Sequence, residues 1–195
     1  EWLDHPGTVG RVLPGMTVQV LGTDGTPLPP GQSGEVACGR DDYPDFRYHG
    51  DDAKRARAAR GPDGRLVATG DMGWFDADGW LYLDGRASDM IIFGGSNIYP
   101  AEIEQALMRL PGVADCAVFG IPDDEFGESL AAAVQLQPGA ALTAEAVRAW
   151  LHERMAGYKV PRVVSFHDSL PREDTGKIFK RKLREPYWEG RARRV

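Results

Sequence analysis

The first part of the chain consists of short runs of β-forming residues separated by turn residues. These runs are Met16–Leu21, Gly34–Cys38, Arg65–Ala68 and Trp80–Leu83. Between the last two lies Asp76-Ala-Asp-Gly79, a turn signal typical of a hairpin. The polar stretch Asp51–Arg60 contains good helix formers and starts with Asp, which predicts a short surface helix. The pattern therefore predicts a β-rich region.

The pattern changes after Gly85-Arg86, where apolar strands alternate with amphipathic helices. The predicted strands are Met90–Phe93, Val113–Phe119, Leu130–Leu136 and Val163–Phe166. The predicted helices are Pro100–Leu110, Thr143–Met155 and Lys177–Leu183. This order is typical of a compact α+β domain. We therefore expect an α+β fold class, with a small β-rich subdomain over residues 1–87 and a compact α+β domain over residues 88–195.

Composition and charge narrow the class of protein. The chain is 42% hydrophobic and 27% charged, with a net charge of −6, as in ordinary globular proteins. Arg154–Val195 nevertheless holds twelve basic and five acidic residues, so this tail is expected to meet an anion. Cys38 and Cys116 lack the spacing of a disulfide framework or a metal site. With no apolar span and no signal region, we expect a soluble, cytoplasmic protein without stable membrane insertion.

Two segments could bind a nucleotide. Ala68-Thr-Gly-Asp71 ends a predicted strand with a carboxylate, which can accept two hydrogen bonds from the vicinal hydroxyls of a ribose. Arg86 follows across the predicted hairpin, and its guanidinium fork suits a ribose oxygen or a phosphate. For each segment taken alone, an ordinary turn residue or a surface Asp71–Arg86 ion pair is the simpler interpretation.

Two further segments carry glycine beside candidate chemistry. Gly94 and Gly95 open a loop that leads into the predicted helix at Pro100, and glycine lets a ligand approach the backbone closely. Asp174-Thr-Gly-Lys177 is a tight turn that is predicted to present Lys177 at the start of a helix, where the dipole disfavours a cation. This placement suggests a functional role, whereas a solvated lysine is the default interpretation.

Five motifs occur in a fixed order along nearly the whole chain. They are Pro6–Gly10, Thr69–Asp71, Gly85-Arg86, Gly94–Glu104 and Pro171–Lys177. Together they resemble the C-terminal third of an acyl-CoA synthetase, in the adenylate-forming superfamily that includes luciferases and peptide-synthetase adenylation domains. Gly94-Gly-Ser-Asn-Ile-Tyr-Pro100 is similar to the CoA-ligase version of its loop, and Phe46–Gly50 resembles ligases of fatty, bile or aryl acids.

The resemblance implies an ATP-dependent reaction in two half-reactions. A carboxylate first attacks the α-phosphate of ATP, with Mg²⁺, to give an acyl-adenylate and pyrophosphate. The thiol of CoA then displaces AMP. By the resemblance, Asp71 would hold the ribose hydroxyls, Arg86 would assist and Leu83 would touch the nucleotide. Lys177 would be the catalytic residue that bridges the acyl carboxylate and the phosphate.

The resemblance also implies a mobile second domain. Ser88 and Asp89 would form its hinge, and rotation would withdraw the lysine and bring in the CoA-binding groups. The positions implied for CoA are Gly94, Gly95, Phe126, Tyr158, Lys159 and Arg162. Phe126 and Tyr158 could equally be plain core residues. No metal ligands are expected.

Two segments of the family are missing from the sequence: the phosphate loop that ends in Lys-Gly and the Tyr-Gly-x-Thr-Glu segment. We therefore expect a fragment that needs the N-terminal domain of the same protein, with the acid unspecified and the oligomeric state open. One alternative is an amino-acid-activating domain. Another is a non-enzymatic module that uses the basic stretch Lys177–Arg184 to bind nucleic acid or a membrane surface. The motif order argues against nucleic acid as a partner.

Overall fold

The computed structural model describes residues 2–40, 42 and 47–191. Phe46, part of the resemblance to ligases of fatty, bile or aryl acids, lies outside these described residues. The chain divides into two compact units, Glu1–Ser88 and Asp89–Val195. This division falls one residue after the boundary expected from the sequence.

The first unit is built on an antiparallel sheet. Its strands are β1 (Thr8–Arg11), β2 (Met16–Leu21), β3 (Gly34–Arg40), β4 (Ala59–Arg60), β5 (Leu66–Phe75) and β6 (Trp80–Arg86). The strand order is β1-β6-β5-β3-β2, and β4 pairs with β5. Helix α1 (Asp52–Ala58) begins after Asp51, whose side chain accepts a hydrogen bond from the Lys54 amide. A short 3-10 helix, Trp2–Asp4, precedes the sheet.

Strands β5 and β6 are longer than the sequence predicts. Asp71 and Arg86 therefore lie within paired strands, and the expectation that Asp71 ends a strand was wrong. Pairing continues because two glycines allow it. Gly70 adopts a φ of +80°, and a Cβ added at Gly73 would lie 2.3 Å from the carbonyl oxygen of Tyr82. The apolar run alone could not show this continuation.

The second unit combines a five-stranded sheet with three helices. Its strands are β7 (Ile91–Phe93), β8 (Ser96–Ile98), β9 (Val113–Asp123), β10 (Gly127–Leu136) and β11 (Val163–His167). Its helices are α2 (Pro100–Leu107), α3 (Ala144–His152) and α4 (Lys180–Trp188). The order is β11-β10-β7-β8, with β9 along β10. Strand β11 runs parallel to β10, and the other pairs are antiparallel.

The sheet of the second unit is covered on both faces. On one face, α2 contributes Ile103 and Leu107 and α3 contributes Val147 and Leu151, all of them fully buried. On the other face, Leu183 of α4 packs against a cluster that includes Phe119 and Ala131. The three-layer arrangement confirms the α+β fold class that the sequence predicts.

Two local predictions in this unit were wrong. Gly94–Pro100 is not a plain loop: Gly94 and Gly95, with φ of +54° and +87°, form the two-residue turn of a hairpin between β7 and β8. The last helix begins at Lys180, so Lys177 lies in the preceding turn. Arg172 pairs with Ile178 there, and the Phe179 amide donates to the Pro171 carbonyl. These bonds, with a φ of +84° at Gly176, prevent an earlier helix start.

Candidate functional site

The Thr69-Gly-Asp71 segment and Arg86 form the candidate site of the first unit. Asp71 faces Arg86 across β5 and β6, and Arg86 Nε lies 3.0 Å from Asp71 Oδ1. The Asp71 amide donates to Thr69 Oγ1, and Arg86 Nη1 lies 3.4 Å from the Thr69 carbonyl oxygen. The exposed fractions of the Asp71 and Arg86 side chains are 26% and 54%. Such an accessible pair adds at most about 1 kcal/mol to stability, so both groups remain available to a ligand.

Leu83 lies on β6 near this pair in sequence. Leu83 is 38% exposed, which places it among the exposed large hydrophobic residues. The neighbouring Tyr82 stacks on Trp74, with ring centroids 4.5 Å apart. Successive strand side chains point to opposite faces, so this stack and Leu83 occupy different faces of the sheet. The first unit thus offers a carboxylate, a guanidinium and an apolar contact.

Lys177 lies exposed on a tightly bonded turn of the second unit. The amide of Glu173 donates to the Lys177 carbonyl, and the Gly176 amide donates to the Glu173 carbonyl, both at 2.8 Å. Arg172 ties this turn to the sheet: Nη1 donates to the Gly176 carbonyl at 2.8 Å and Nη2 pairs with Asp115 of β9. In the part of the chain that the structure describes, no carboxylate pairs with the Lys177 ammonium.

A second ion pair fixes the helix that follows the turn. Lys180 Nζ lies 2.7 Å from Glu104 Oε1, which also accepts the Val118 amide at 2.7 Å. The first residue of α4 is therefore anchored to α2 and β9. Beside it, burial raises the pKa of the Cys116 thiol to about 12, and the Glu104 and Asp115 carboxylates add to the shift. Cys116 is consequently a protonated core thiol rather than a nucleophile.

Three rings form an aromatic face at the other end of the second unit. The rings of Phe93 and Phe126 stack with centroids 4.6 Å apart, and that of Tyr158 lies 6.3 Å from Phe93. The Gly94 amide donates to the Phe126 carbonyl at 2.9 Å, and a Cβ at Gly94 would lie 3.2 Å from the Phe126 ring. Tyr158 is 46% exposed, so it is not a plain core residue.

The two cations predicted near this face already have carboxylate partners. Arg162 pairs with Asp123, and its Cζ lies 5.4 Å from the centroid of the Phe126 ring. Lys159 Nζ lies 2.6 and 2.9 Å from the two carboxylate oxygens of Glu102. These two pairs sum to zero charge. The aromatic face therefore offers stacking and fixed donors rather than excess positive charge.

Asp123 is a residue of this face that the sequence analysis missed. Its Oδ1 accepts the amides of Glu125 and Phe126 at 3.1 and 2.9 Å, while Oδ2 pairs with Arg162. The amide of Phe126 is the main cause that lowers the pKa of Asp123, followed by that of Glu125 and the charge of Arg162. The turn signal Asp-Asp-Glu-Phe could have indicated the amide contacts. The contact with Arg162, 39 residues away, has no local signal.

The two groups of the second unit lie at opposite ends of β9. We call Asp115, Arg172 and Lys177 the lysine end, and Phe93, Phe126, Tyr158, Arg162 and Asp123 the aromatic end. Asp115 is the third residue of β9 and Asp123 is the last. Eight residues of extended strand separate them by about 27 Å. The lysine and the rings therefore cannot serve the same atoms at the same time.

The remaining predicted positions are placed as follows. Ser88 and Asp89 lie in a short 3-10 helix, Ala87–Asp89. Gly95 is the second residue of the β7–β8 turn. Among the described residues, no group of three His, Cys, Asp or Glu side chains could hold a metal ion. Within the same residues, every helix is too short or too polar to cross a membrane.

Comparison with known proteins identifies the class. Residues 102–177 match the family model of the AMP-binding enzyme C-terminal domain. A 3-[(3aS,4S,7aS)-7a-methyl-1,5-dioxo-octahydro-1H-inden-4-yl]propanoyl:CoA ligase of Rhodococcus jostii (strain RHA1) is 44% identical, over 93% of this chain and 34% of that protein. ATP-bound MatB from Rhodopseudomonas palustris is 35% identical with a TM-score of 0.84, covering 93% of this chain and 36% of MatB.

A third similarity concerns a bound intermediate. The o-succinylbenzoate CoA synthetase MenE from Bacillus subtilis, solved with its acyl-adenylate intermediate, is 30% identical with a TM-score of 0.84. The match covers 93% of this chain and 36% of MenE. The chain thus contains an AMP-binding C-terminal domain. It belongs to the adenylate-forming superfamily, as a counterpart of the C-terminal part of its acid–CoA ligases, which confirms the resemblance seen in the sequence. It spans about a third of the length of these relatives.

Proposed function

We propose that this chain is the C-terminal part of an ATP-dependent carboxylic acid–CoA ligase. The ligase joins a carboxylate to the α-phosphate of ATP and releases pyrophosphate. The CoA thiol then attacks the acyl carbon of the adenylate, AMP leaves, and a thioester forms. The observation that carries the proposal is the placement of an exposed lysine near one end of β9 and of an aromatic face near the other. Two chemically different steps need two such sets of groups.

The first unit would hold the nucleotide. Asp71 accepts hydrogen bonds from both ribose hydroxyls, and Arg86 keeps the carboxylate oriented while it contacts a sugar oxygen. Leu83 covers an apolar edge of the nucleotide. The pairing of the Asp71 and Arg86 side chains, with Nε and Oδ1 3.0 Å apart, supports this assignment. A preset carboxylate loses little entropy when the ribose binds.

Lys177 would act in the first half-reaction. The acyl carboxylate and the α-phosphate are both anions, and an ammonium between them neutralises the charge that opposes their approach. The exposed position of Lys177 and the bonds that fix its turn support this role. Loss of such a charge-assisted contact raises the barrier by about 3 kcal/mol, roughly a hundredfold in rate.

The aromatic end would receive CoA in the second half-reaction. Gly94 and Gly95 leave room for the pantetheine chain beside the β7–β8 turn, and Phe126 and Tyr158 provide rings for the adenine. Lys159 and Arg162 donate to phosphate oxygens from positions fixed by their carboxylate partners. Ser88 and Asp89 would form the hinge between the two steps.

The substrates would be a small carboxylic acid, ATP with Mg²⁺, and CoA. The phosphate loop and most of the acyl pocket would belong to an N-terminal domain, so we expect this chain alone to be inactive. Both cysteines are free thiols, which agrees with a reducing cytoplasm. Fatty and aryl acids are the first candidates for the acid.

The proposal is tested by half-reaction assays on the complete ligase with a panel of fatty, aryl and amino acids. Pyrophosphate exchange should require acid and ATP only, whereas thioester and AMP should form only with CoA. Exchange with amino acids and no CoA product would indicate an amino-acid-activating domain instead. Steep, salt-sensitive binding of DNA without either half-reaction would indicate the non-enzymatic module.

A further inference from the structure

We infer that Asp123 is a positioning residue for CoA in the second half-reaction. It would hold the Phe126 ring and the Arg162 guanidinium in one arrangement that receives the nucleotide part of CoA. This inference rests on the proposed function and adds a residue to it. Asp123 itself does not touch CoA, because its two oxygens are occupied by protein donors.

The two oxygens of Asp123 serve two different elements. Oδ1 accepts the amides of Glu125 and Phe126 and so closes the turn between β9 and β10. Oδ2 pairs with Arg162, which lies just before β11. Only 10% of the Asp123 side chain is exposed, compared with 52% of that of Arg162. The carboxylate is therefore the fixed member and the guanidinium is the accessible one.

This pairing determines where the guanidinium lies. Arg162 Cζ is 5.7 Å from the centroid of Phe93 and 5.4 Å from that of Phe126. Both rings belong to the stack whose spacing is 4.6 Å. A guanidinium has five donors, and the carboxylate occupies only some of them. Donors remain for a phosphate oxygen of a ligand whose adenine lies on the rings.

A competing interpretation predicts the opposite change in the KM for CoA. If Asp123 only neutralised Arg162, removing its charge would free a cation and strengthen the binding of the CoA phosphates. If Asp123 positions Arg162, removing its charge releases the guanidinium into solvent and weakens binding. The direction of the change in the KM for CoA therefore separates the two interpretations.

Asp123→Asn separates the two contacts of the carboxylate. The amide oxygen of Asn can still accept the backbone amides, but its NH₂ group cannot accept from Arg162. Asp123→Ala removes both contacts. In the complete ligase we expect the KM for CoA to rise about fivefold in Asp123→Asn and about tenfold or more in Asp123→Ala, with unchanged acyl-adenylate formation.

The matched control is Asp124→Asn. Asp124 is the next residue, its side chain is 90% exposed, and it pairs with Arg191 instead. We expect this variant to keep the wild-type KM for CoA. In a double-mutant cycle, Asp123→Asn should add little to Arg162→Ala, because both changes remove the same interaction. Additive effects, a lower KM or an unchanged KM in Asp123→Asn would overturn the inference.

A second measurement is independent of activity. In this 195-residue chain, hydrogen exchange of the Phe126 amide should accelerate in Asp123→Ala and stay near wild type in Asp123→Asn. An equal loss of both half-reactions in Asp123→Asn would mean a general defect of folding and would also overturn the inference. If the wild-type ligase forms no thioester at all, the proposed function fails instead, and the two failures are distinguishable.

Discussion

The two ends of β9 use their charged residues in different ways. At the lysine end, the Arg172 guanidinium binds Asp115 and the Gly176 carbonyl of the turn, and Lys177 is exposed. At the aromatic end, partly exposed rings lie beside Arg162, whose guanidinium is accessible but paired with the Asp123 carboxylate. One end thus offers a free charge on a fixed turn, whereas the other offers a neutral surface with fixed donors. The first suits the neutralisation of two anions, and the second suits stacking of a nucleotide.

The largest effect is expected when the charge of Lys177 is removed from the lysine end. Lys177→Ala in the complete ligase should lower acyl-adenylate formation about a hundredfold, because the charge between two anions is lost. Thioester formation from a pre-made acyl-adenylate should change little, since the aromatic end is untouched. Rapid-quench assays of the two half-reactions measure both rates.

Lys182→Ala is the matched control for this change. Lys182 is an exposed lysine of the same basic segment, and its loss should leave both rates near wild type. An equal fall of both half-reactions in Lys177→Ala would contradict the separate use of the two ends.

A smaller effect is expected from the residue that fixes the turn. Arg172→Ala keeps Lys177 but removes the bonds to Asp115 and to the Gly176 carbonyl. We expect adenylate formation to fall about tenfold, because the ammonium is no longer held near its productive position. Arg181→Ala serves as the control, since Arg181 is 72% exposed and pairs within its own helix with Glu185. If adenylate formation is as fast in Arg172→Ala as in Arg181→Ala, the bonds of Arg172 to Asp115 and to the Gly176 carbonyl are dispensable.

The smallest expected effect concerns Cys116, the residue that follows Asp115 on β9. The folded pKa of Cys116, about 12, lies above the ordinary thiol value of 9.0. Below about pH 9 the thiol is protonated in both states, and its contribution to stability is complete. Above that pH the unfolded chain loses the proton first, so the free energy of unfolding falls by at most about 1.4 kcal/mol per pH unit up to pH 12.

Urea unfolding at pH 8, 9 and 10 measures this fall in wild type and in Cys116→Ala. The variant should lose less stability with rising pH than wild type does. Iodoacetamide at pH 8 should leave Cys116 of the folded chain unmodified. Rapid modification under those conditions would show that β9 opens at Cys116.

The sequence predicts those parts of the fold that depend on local periodicity. The apolar stripes of α2 and α3 were expected from their spacing, and Ile103, Leu107, Val147 and Leu151 are indeed buried. The start of α4 was mispredicted because Lys177–Lys180 has a helix-like composition. The pairing of Arg172 with Ile178 and the bond from Phe179 to Pro171 compete with helix formation there, and neither is visible in a helical pattern.

In the candidate site too, the residues with a local sequence signal were predicted and those without one were not. Asp71 and Arg86 were expected to meet because a hairpin turn lies between them, and their side chains do meet. Asp115 and Asp123 were missed because their arginine partners lie 57 and 39 residues away along the chain. Motif matching finds residues that touch a substrate. It does not find the carboxylates that hold those residues in place.

The continuous pairing of β9 with β10 has a mechanical consequence. From Asp115 to Asp123 every residue of β9 pairs with a residue of β10, so Asp115 and Asp123 lie at the two ends of one rigid segment. If this unit rotates about an axis through the middle of β9, the end at Asp115 moves back by the distance that the end at Asp123 moves forward, or the reverse. One rotation would then set the timing of both movements, and neither end of β9 would need a separate signal.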